Sequence, residues 1–214
     1  NKLLNISTSI TDILGNNSTF SIPQLVVVGT QSSGKSSLLN SIIGLDILPT
    51  GTNMVTRTPL SLQLINSPKN IAELGYYHNN VFKKTSTIDL KDTKNLAQVS
   101  DEIENITVTL AGSKKNISGQ SIIMKVYYSS VPNLHLIDLP GLTMVACTDQ
   151  GQPKDIKTQI RSLVTSYIKK PKTIILAVIQ ARTDVEADLG LDLIKEYDPS
   201  GSRTIGVLTK VDLM

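Results

Sequence analysis

The eight residues Gly29-Thr30-Gln31-Ser32-Ser33-Gly34-Lys35-Ser36 constrain this chain more than any other feature. They fit the pattern G-x-x-x-x-G-K-[ST]. They stand between a short apolar run, Gln24 to Val28, and a stretch with helical spacing, Lys35 to Ile43, closed by Gly44. A strand that breaks into a glycine loop and then a helix makes that loop an anion nest. Gly29 and Gly34 permit a tight turn in which successive N–H groups point inward, and the helix adds its positive N-terminal end. The residues Gln31, Ser32, Ser33, Gly34, Lys35, Ser36 and Ser37 are therefore expected to surround the phosphates of a nucleotide. Lys35 would supply a point charge to the β- and γ-phosphates, and the Ser36 hydroxyl would ligate Mg²⁺.

The rest of the chain alternates strand and helix. Residues 3–14 carry Leu3, Leu4, Ile6, Ile10, Ile13 and Leu14 at helical spacing, so residues 1–22 read as an N-terminal helix leading into a domain over 23–214. Strands are expected at Leu60 to Ile65, Ser121 to Tyr128, Leu134 to Ile137, Thr173 to Ile179 and Arg203 to Leu208. Helices are expected at Leu96 to Leu110, Pro153 to Ile168 and Val185 to Tyr197. The polar stretch 73–92 suggests an edge hairpin or an insertion. Ser121 to Tyr128, the more polar of its strand pair, suggests an edge position, and Thr173 to Ile179 reads as fully buried. This rhythm predicts an α/β fold of the P-loop NTPase kind, a mostly parallel central sheet with helices on both faces. Aromatic residues make up 4% of the chain and Trp is absent, so the core has to rest on Ile, Leu and Val. A helix would ordinarily follow the last strand, which suggests a domain that is incomplete at its C-terminus.

Three further motifs follow in order, two of them at expected strand ends. Thr56 lies on the polar loop between Pro49 and Pro59, where a switch threonine can reach Mg²⁺ when a γ-phosphate is present. Asp138-Leu139-Pro140-Gly141 follows the strand ending at Ile137. In a D-x-x-G segment the Asp holds Mg²⁺, usually through water, and the Gly N–H meets the γ-phosphate. Thr209-Lys210-Val211-Asp212 follows Leu208. The Asp212 carboxylate can accept from the ring N–H and amino group of guanine together, adenine offers the opposite pattern, and the stem of Lys210 can pack on the base. The nucleotide expected is therefore GTP or GDP. Leu142 stands where Ras-like proteins carry a water-orienting Gln. Gln31 is close enough in sequence to serve the γ-phosphate region, or it is a passive loop residue.

Other chemistries find little support. Net charge is +3 with Lys and Arg scattered, so no nucleic-acid partner is expected. The single cysteine, Cys147, excludes an internal disulfide and sits in no nucleophile motif with His78 or His135. The longest strongly apolar run, Ile174 to Ile179, is far below the ~20 residues of a membrane span. A cytoplasmic protein is expected.

Beyond the nucleotide motifs, Val26 to Ser37, Leu48-Pro49-Thr50-Gly51, Val55 to Leu60, Asp138 to Gly141, Asp149-Gln150 with Pro153 to Ile156, Asp198-Pro199, Arg203 to Gly206 and Thr209 to Leu213 together resemble the GTPase domain of the dynamin superfamily. The resemblance runs from about Pro23 to Met214, with a divergent stretch near 67–120, and its P-loop wording is most similar to the dynamin-related proteins of mitochondrial and peroxisomal division. The resemblance implies that Gln31 positions the attacking water, that Ser32 and the carbonyls of Gly51 and Asn53 hold a monovalent cation (Na⁺ or K⁺), and that Thr56 holds the nucleophile and Mg²⁺. Asn53 stands where the family usually has glycine. Asp184 matches a residue that reaches across a G-domain homodimer, although as a plain sequence feature it also reads as a solvated loop carboxylate. GTP hydrolysis, recruitment to organelle or vesicle membranes and membrane fission are the implied functions, with lipid binding and self-assembly residing in regions absent here. A translation or ribosome-assembly GTPase that binds RNA, and a scaffold that binds GTP without hydrolysing it, are the alternative expectations.

Overall fold

A computed structural model describes residues 24–50, 57–112, 116–143 and 153–214. The expected helix over 3–14, the residues Gly51, Asn53 and Thr56, and the Asp149-Gln150 pair lie outside the described residues. The strands are β1 (Gln24–Gly29), β2 (Leu60–Asn66), β3 (Ile71–His78), β4 (Val81–Asp89), β5 (Ile122–Tyr128), β6 (Leu134–Asp138), β7 (Thr173–Gln180) and β8 (Thr204–Thr209). The helices are α1 (Lys35–Ile43), α2 (Leu96–Ala111), α3 (Ile156–Ile168) and α4 (Leu189–Tyr197). The strands form one sheet in the order β4-β3-β5-β2-β6-β1-β7-β8. The pairs β1–β6, β1–β7, β2–β5 and β7–β8 run parallel, whereas β2–β6, β3–β4 and β3–β5 run antiparallel.

Two apolar layers sandwich the sheet, because successive strand residues face opposite sides. Val27, Leu62, Leu64, Leu136 and Val178 meet Leu39 and Ile43 of α1 and Val99, Ile103 and Ile106 of α2 on one side. On the other, Val26, Val28, Ile137, Ile175 and Ala177 meet Ile156, Ile160, Val164 and Ile168 of α3 and Leu193 and Ile194 of α4. Aliphatic side chains fill both layers, as the low aromatic content requires.

Three local expectations need correction. Ser121 to Tyr128 is not an edge strand, since β5 lies between β3 and β2. Its polarity marks a face instead. Ile122, Met124 and Val126 enter the α1/α2 core, while Lys125 on the opposite face sits in register with Glu73 and Gln63 and lies 5.2 Å from the Phe82 ring centroid. The stretch 73–92 does form an edge hairpin, turned by Asn79 and Asn80 at φ 51° and 62°. Val185 to Tyr197 is not one helix. A short 3-10 turn, Val185–Ala187, stops at Asp188, whose extended backbone and side chain cap α4 by accepting from Gly190 N and Leu191 N. β7 is not buried throughout, because Ile174, near its start and beside the edge strand, is exposed. β8 forms the opposite edge of the sheet and leaves Ile205 and Leu208 exposed on opposite faces.

Candidate functional site

β1, β6, β7 and β8 run side by side with their C-terminal ends at one edge of the sheet, and each end carries a polar residue or a turn. β1 ends at Gly29. A Cβ there would stand 2.5 Å from Val178 O and 2.6 Å from Ser33 Oγ, so a glycine is needed for the loop to fold back against β7. Ser32 follows at φ 62°, a left-handed conformation that is costly for a residue with a Cβ. Gly34 adopts φ 97° and opens α1. Ser33 is fully buried and its hydroxyl has no protein partner.

The loop is pinned from behind by residues that sequence reasoning did not assign to it. Thr209 Oγ1 donates to Ser33 O at 2.5 Å and shares its hydrogen with Ile179 O at 3.1 Å. Gln180 Nε2 donates to Ser32 O at 3.2 Å. The ends of β7 and β8 thus hold two consecutive loop carbonyls. The hydroxyl of Thr209, a residue expected at the nucleotide, thus also engages the loop backbone. No motif flags Gln180, since its role depends on a loop residue 148 positions distant in sequence.

The D-x-x-G segment is tied to the same loop by backbone. Thr30 and Leu142 form a parallel bridge, with Gln31 N donating to Leu142 O at 2.9 Å and Leu142 N donating to Gly29 O at 3.1 Å. This brings Gly141 so near the loop that a Cβ on it would stand 2.8 Å from Gln31 Cα and 2.9 Å from Lys35 Nζ. Leu142 itself is buried in the α3/α4 core. Its side chain is a packing group, which explains why no polar residue stands there to orient water.

Lys35 sits at the centre of this arrangement. It is 8% exposed, and its ammonium donates to Thr30 O at 3.0 Å and Gly29 O at 3.3 Å. Burial pushes its pKa below the usual lysine value, and the carboxylates of Asp138 and then Asp188 act in the opposite direction. Asp188 is not among the residues expected at the site, because the sequence predicts a helix already under way from Val185, whereas α4 begins at Leu189 with Asp188 as its cap. The Asp-x-Gly-Leu capping pattern at 188–191 was the available signal. Gly190 leaves room for the cap, since a Cβ on it would stand 2.9 Å from Asp188 Oδ1, and the first turn of α4 lies against the loop at Gly29.

The residues able to hold a divalent cation are Ser36 and Asp138, which line one pocket with Thr58. This is an all-oxygen set with a single carboxylate, and Thr58 Oγ1 is buried without a partner. Among the described residues no group of three or more His, Cys, Asp or Glu side chains could hold a metal. Such a set fits Mg²⁺, which keeps waters and completes its shell with substrate phosphates. Asn40 fixes the approach to this pocket. Its side chain donates to Leu48 O at 3.1 Å and accepts from Leu48 N at 2.9 Å, which ties α1 to the segment entering the 49–59 loop.

Lys210, at φ 56°, and Asp212 follow β8 in a short 3-10 turn, Val211–Leu213, at the same edge of the sheet as the loop. Asp184 lies on the exposed turn after β7, where its carboxylate accepts from Glu186 N at 3.0 Å.

The dynamin-family model matches residues 25–211. Dynamin-1-like protein of Mus musculus is 46% identical over 199 residues, covering 90% of this chain and 27% of the relative. Dynamin of Drosophila melanogaster is 46% identical over 214 residues, covering 100% of this chain and 22% of the relative. Dynamin-related protein dnm1 of Schizosaccharomyces pombe is 43% identical, covering 90% of this chain and 28% of the relative. The chain spans about a quarter of the length of these relatives. Mouse and fly proteins match to the same degree, so identity alone does not divide the subfamilies. Among the described residues no helix is long and apolar enough to cross a membrane.

Proposed function

We propose, from the premise that this chain belongs to the dynamin family, that it binds GTP and hydrolyses it to GDP and phosphate, and that the longer protein couples this to membrane remodelling. The observation that carries the reading is the convergence on Lys35. A buried ammonium, held by the first two loop carbonyls and faced by Gly141, is an unfinished electrostatic site that a triphosphate completes. Family membership does not favour the alternative of an RNA-binding translation or ribosome-assembly GTPase.

In this reading the loop amides and the start of α1 bind the phosphates, and Lys35 contacts the β/γ region. Ser36 and Asp138 would hold Mg²⁺, with Thr56 joining them when the γ-phosphate is present. When bound, that ion neutralises charge on the phosphate oxygens. Asp212 selects guanine and Lys210 packs on it. Leu142 is a core residue, so the group that orients water must come from elsewhere, and Gln31 on the loop is assigned that role. Ser32, with the carbonyls of Gly51 and Asn53, would hold a monovalent cation that compensates transition-state charge. The exposed Asp184 would reach a second G domain, making turnover depend on dimerisation.

Calorimetric titration of the intact protein with GDP, GTP and ADP in Mg²⁺ tests the binding step. Guanine nucleotides are expected to bind and ADP not to, and Asp212→Ala should erase roughly a hundredfold of that preference. GTP turnover measured against protein concentration tests the dimer. Specific activity should rise with concentration, and a flat profile would remove Asp184 from the mechanism.

A further inference from the structure

Thr58 has no role in any motif. The sequence Arg57-Thr58-Pro59 leads into β2, and its backbone is fastened on both sides. Arg57 O accepts from Ser118 N at 3.1 Å, Pro59 O accepts from Ile122 N at 2.9 Å, and the Arg57 guanidinium donates to Gly112 O at 3.0 Å. Thr58 is therefore held in place, 1% exposed, and its Oγ1 has no hydrogen-bond partner.

The hydroxyl belongs to the wall of a narrow pocket, with room for roughly one water molecule and an opening to solvent, that lies between α1, α2 and the ends of β2 and β6. Leu60 and Ile103 give this pocket an apolar side. Its polar side is Ser36, Asp138, Thr58 and Thr107. Thr107 is accounted for, since its hydroxyl donates to Ile103 O at 2.6 Å. Ser36 and Asp138 are the residues assigned to the divalent cation. A buried hydroxyl without a partner is destabilising, and in a native fold it points to a water or an ion.

We propose that the Thr58 hydroxyl belongs to the outer shell of the magnesium site, accepting a hydrogen bond from a metal-held water inside the pocket it shares with Ser36 and Asp138. This rests on the nucleotide-and-magnesium reading above. It assigns Thr58 a task separate from that of Thr56. Outer-shell hydrogen bonds orient ligands and strengthen metal binding, so the residue acts on Mg²⁺ affinity and not on the phosphates.

The experiment measures binding of a fluorescent GDP analogue to the intact protein across a Mg²⁺ titration, in wild type, Thr58→Val and Thr58→Ser. In excess EDTA the three proteins should bind the analogue equally. In Mg²⁺, Thr58→Val should need about tenfold more metal for half-maximal tightening, and Thr58→Ser should stay within about twofold of wild type. Without nucleotide or metal, Thr58→Val should unfold at the same or a higher temperature, because the methyl group replaces an unbonded hydroxyl. An unchanged Mg²⁺ dependence in Thr58→Val overturns the proposal, as does an equal loss of affinity in EDTA and in Mg²⁺ or a lowered unfolding temperature of the apo protein. A wild type with no Mg²⁺ response overturns the functional reading first and the proposal with it.

Discussion

The two ends of the β7–β8 strand pair hold their cations in opposite ways. At the N-terminal end, Arg203 is completed by protein. It donates to Ile168 O, Lys170 O and Thr173 O through one nitrogen and to Tyr197 O through another, closing the ends of α3 and α4. Asp198 beside it accepts from Arg203 N, Thr204 Oγ1 and Ser202 Oγ. At the C-terminal end, Lys35 is as buried as a core residue, yet it has two backbone carbonyls and the field of two carboxylates in place of a direct ion pair. On the same loop the hydroxyl of Ser33, and in the pocket of Ser36 and Asp138 that of Thr58, are left without partners. One end is finished by the fold and stabilises it. The other is left electrostatically incomplete and is stabilised by whatever brings negative charge.

That contrast breaks most readily at Lys35. Lys35→Ala should lower guanine-nucleotide affinity a hundredfold or more, roughly 3 kcal/mol, with unfolding free energy in the absence of ligand within about 1 kcal/mol of wild type. Titration calorimetry and urea unfolding read the two quantities separately. Arg203→Ala should do the reverse. Leaving four carbonyls without their shared donor should cost about 2–4 kcal/mol in urea unfolding, while the folded fraction keeps its nucleotide affinity. If both variants lose both properties, the two ends are one cooperative unit and the contrast fails.

Smaller effects sharpen it. Thr209→Val removes the hydroxyl that holds Ser33 O and should weaken nucleotide binding several-fold, on the order of 1 kcal/mol, with Thr209→Ser close to wild type. The smallest expected effect is a pH dependence at the finished end. The hydrogen bond from Thr204, with help from Arg203 N and Ser202, holds the Asp198 pKa below the usual aspartate value of 3.8. A depressed folded value means that its stabilisation is full above the ordinary aspartate range and is lost as pH falls through the lowered value. Unfolding midpoints below about pH 4 should therefore fall less steeply in Asp198→Asn than in wild type.

Much of this was legible in the chain. The glycine loop, the strand before it and the helix after it are contiguous, so their chemistry needed no tertiary information. Gly141 and Asp212 could be singled out because each follows a strand. Gln180 and Asp188 were not, because the groups they act on, Ser32 and Lys35, are brought to them by another part of the fold. The interior position of β5 was hidden for a related reason, since Lys125 looks like an edge residue until Phe82 and Glu73 are brought against it.

The sequence by itself carried the expectation of a guanine nucleotide, since a glycine loop before a helix and a carboxylate just after a strand are local arrangements of backbone and side chain. It also determined the two-faced aliphatic core, because alternation along a strand needs only the strand. The tertiary structure decided which groups are pinned and which are left open. Hydrogen bonds such as Thr209 to Ser33 and Gln180 to Ser32 join residues 176 and 148 positions apart. No short-range pattern encodes such pairs, and only packing of the sheet brings them within bonding distance.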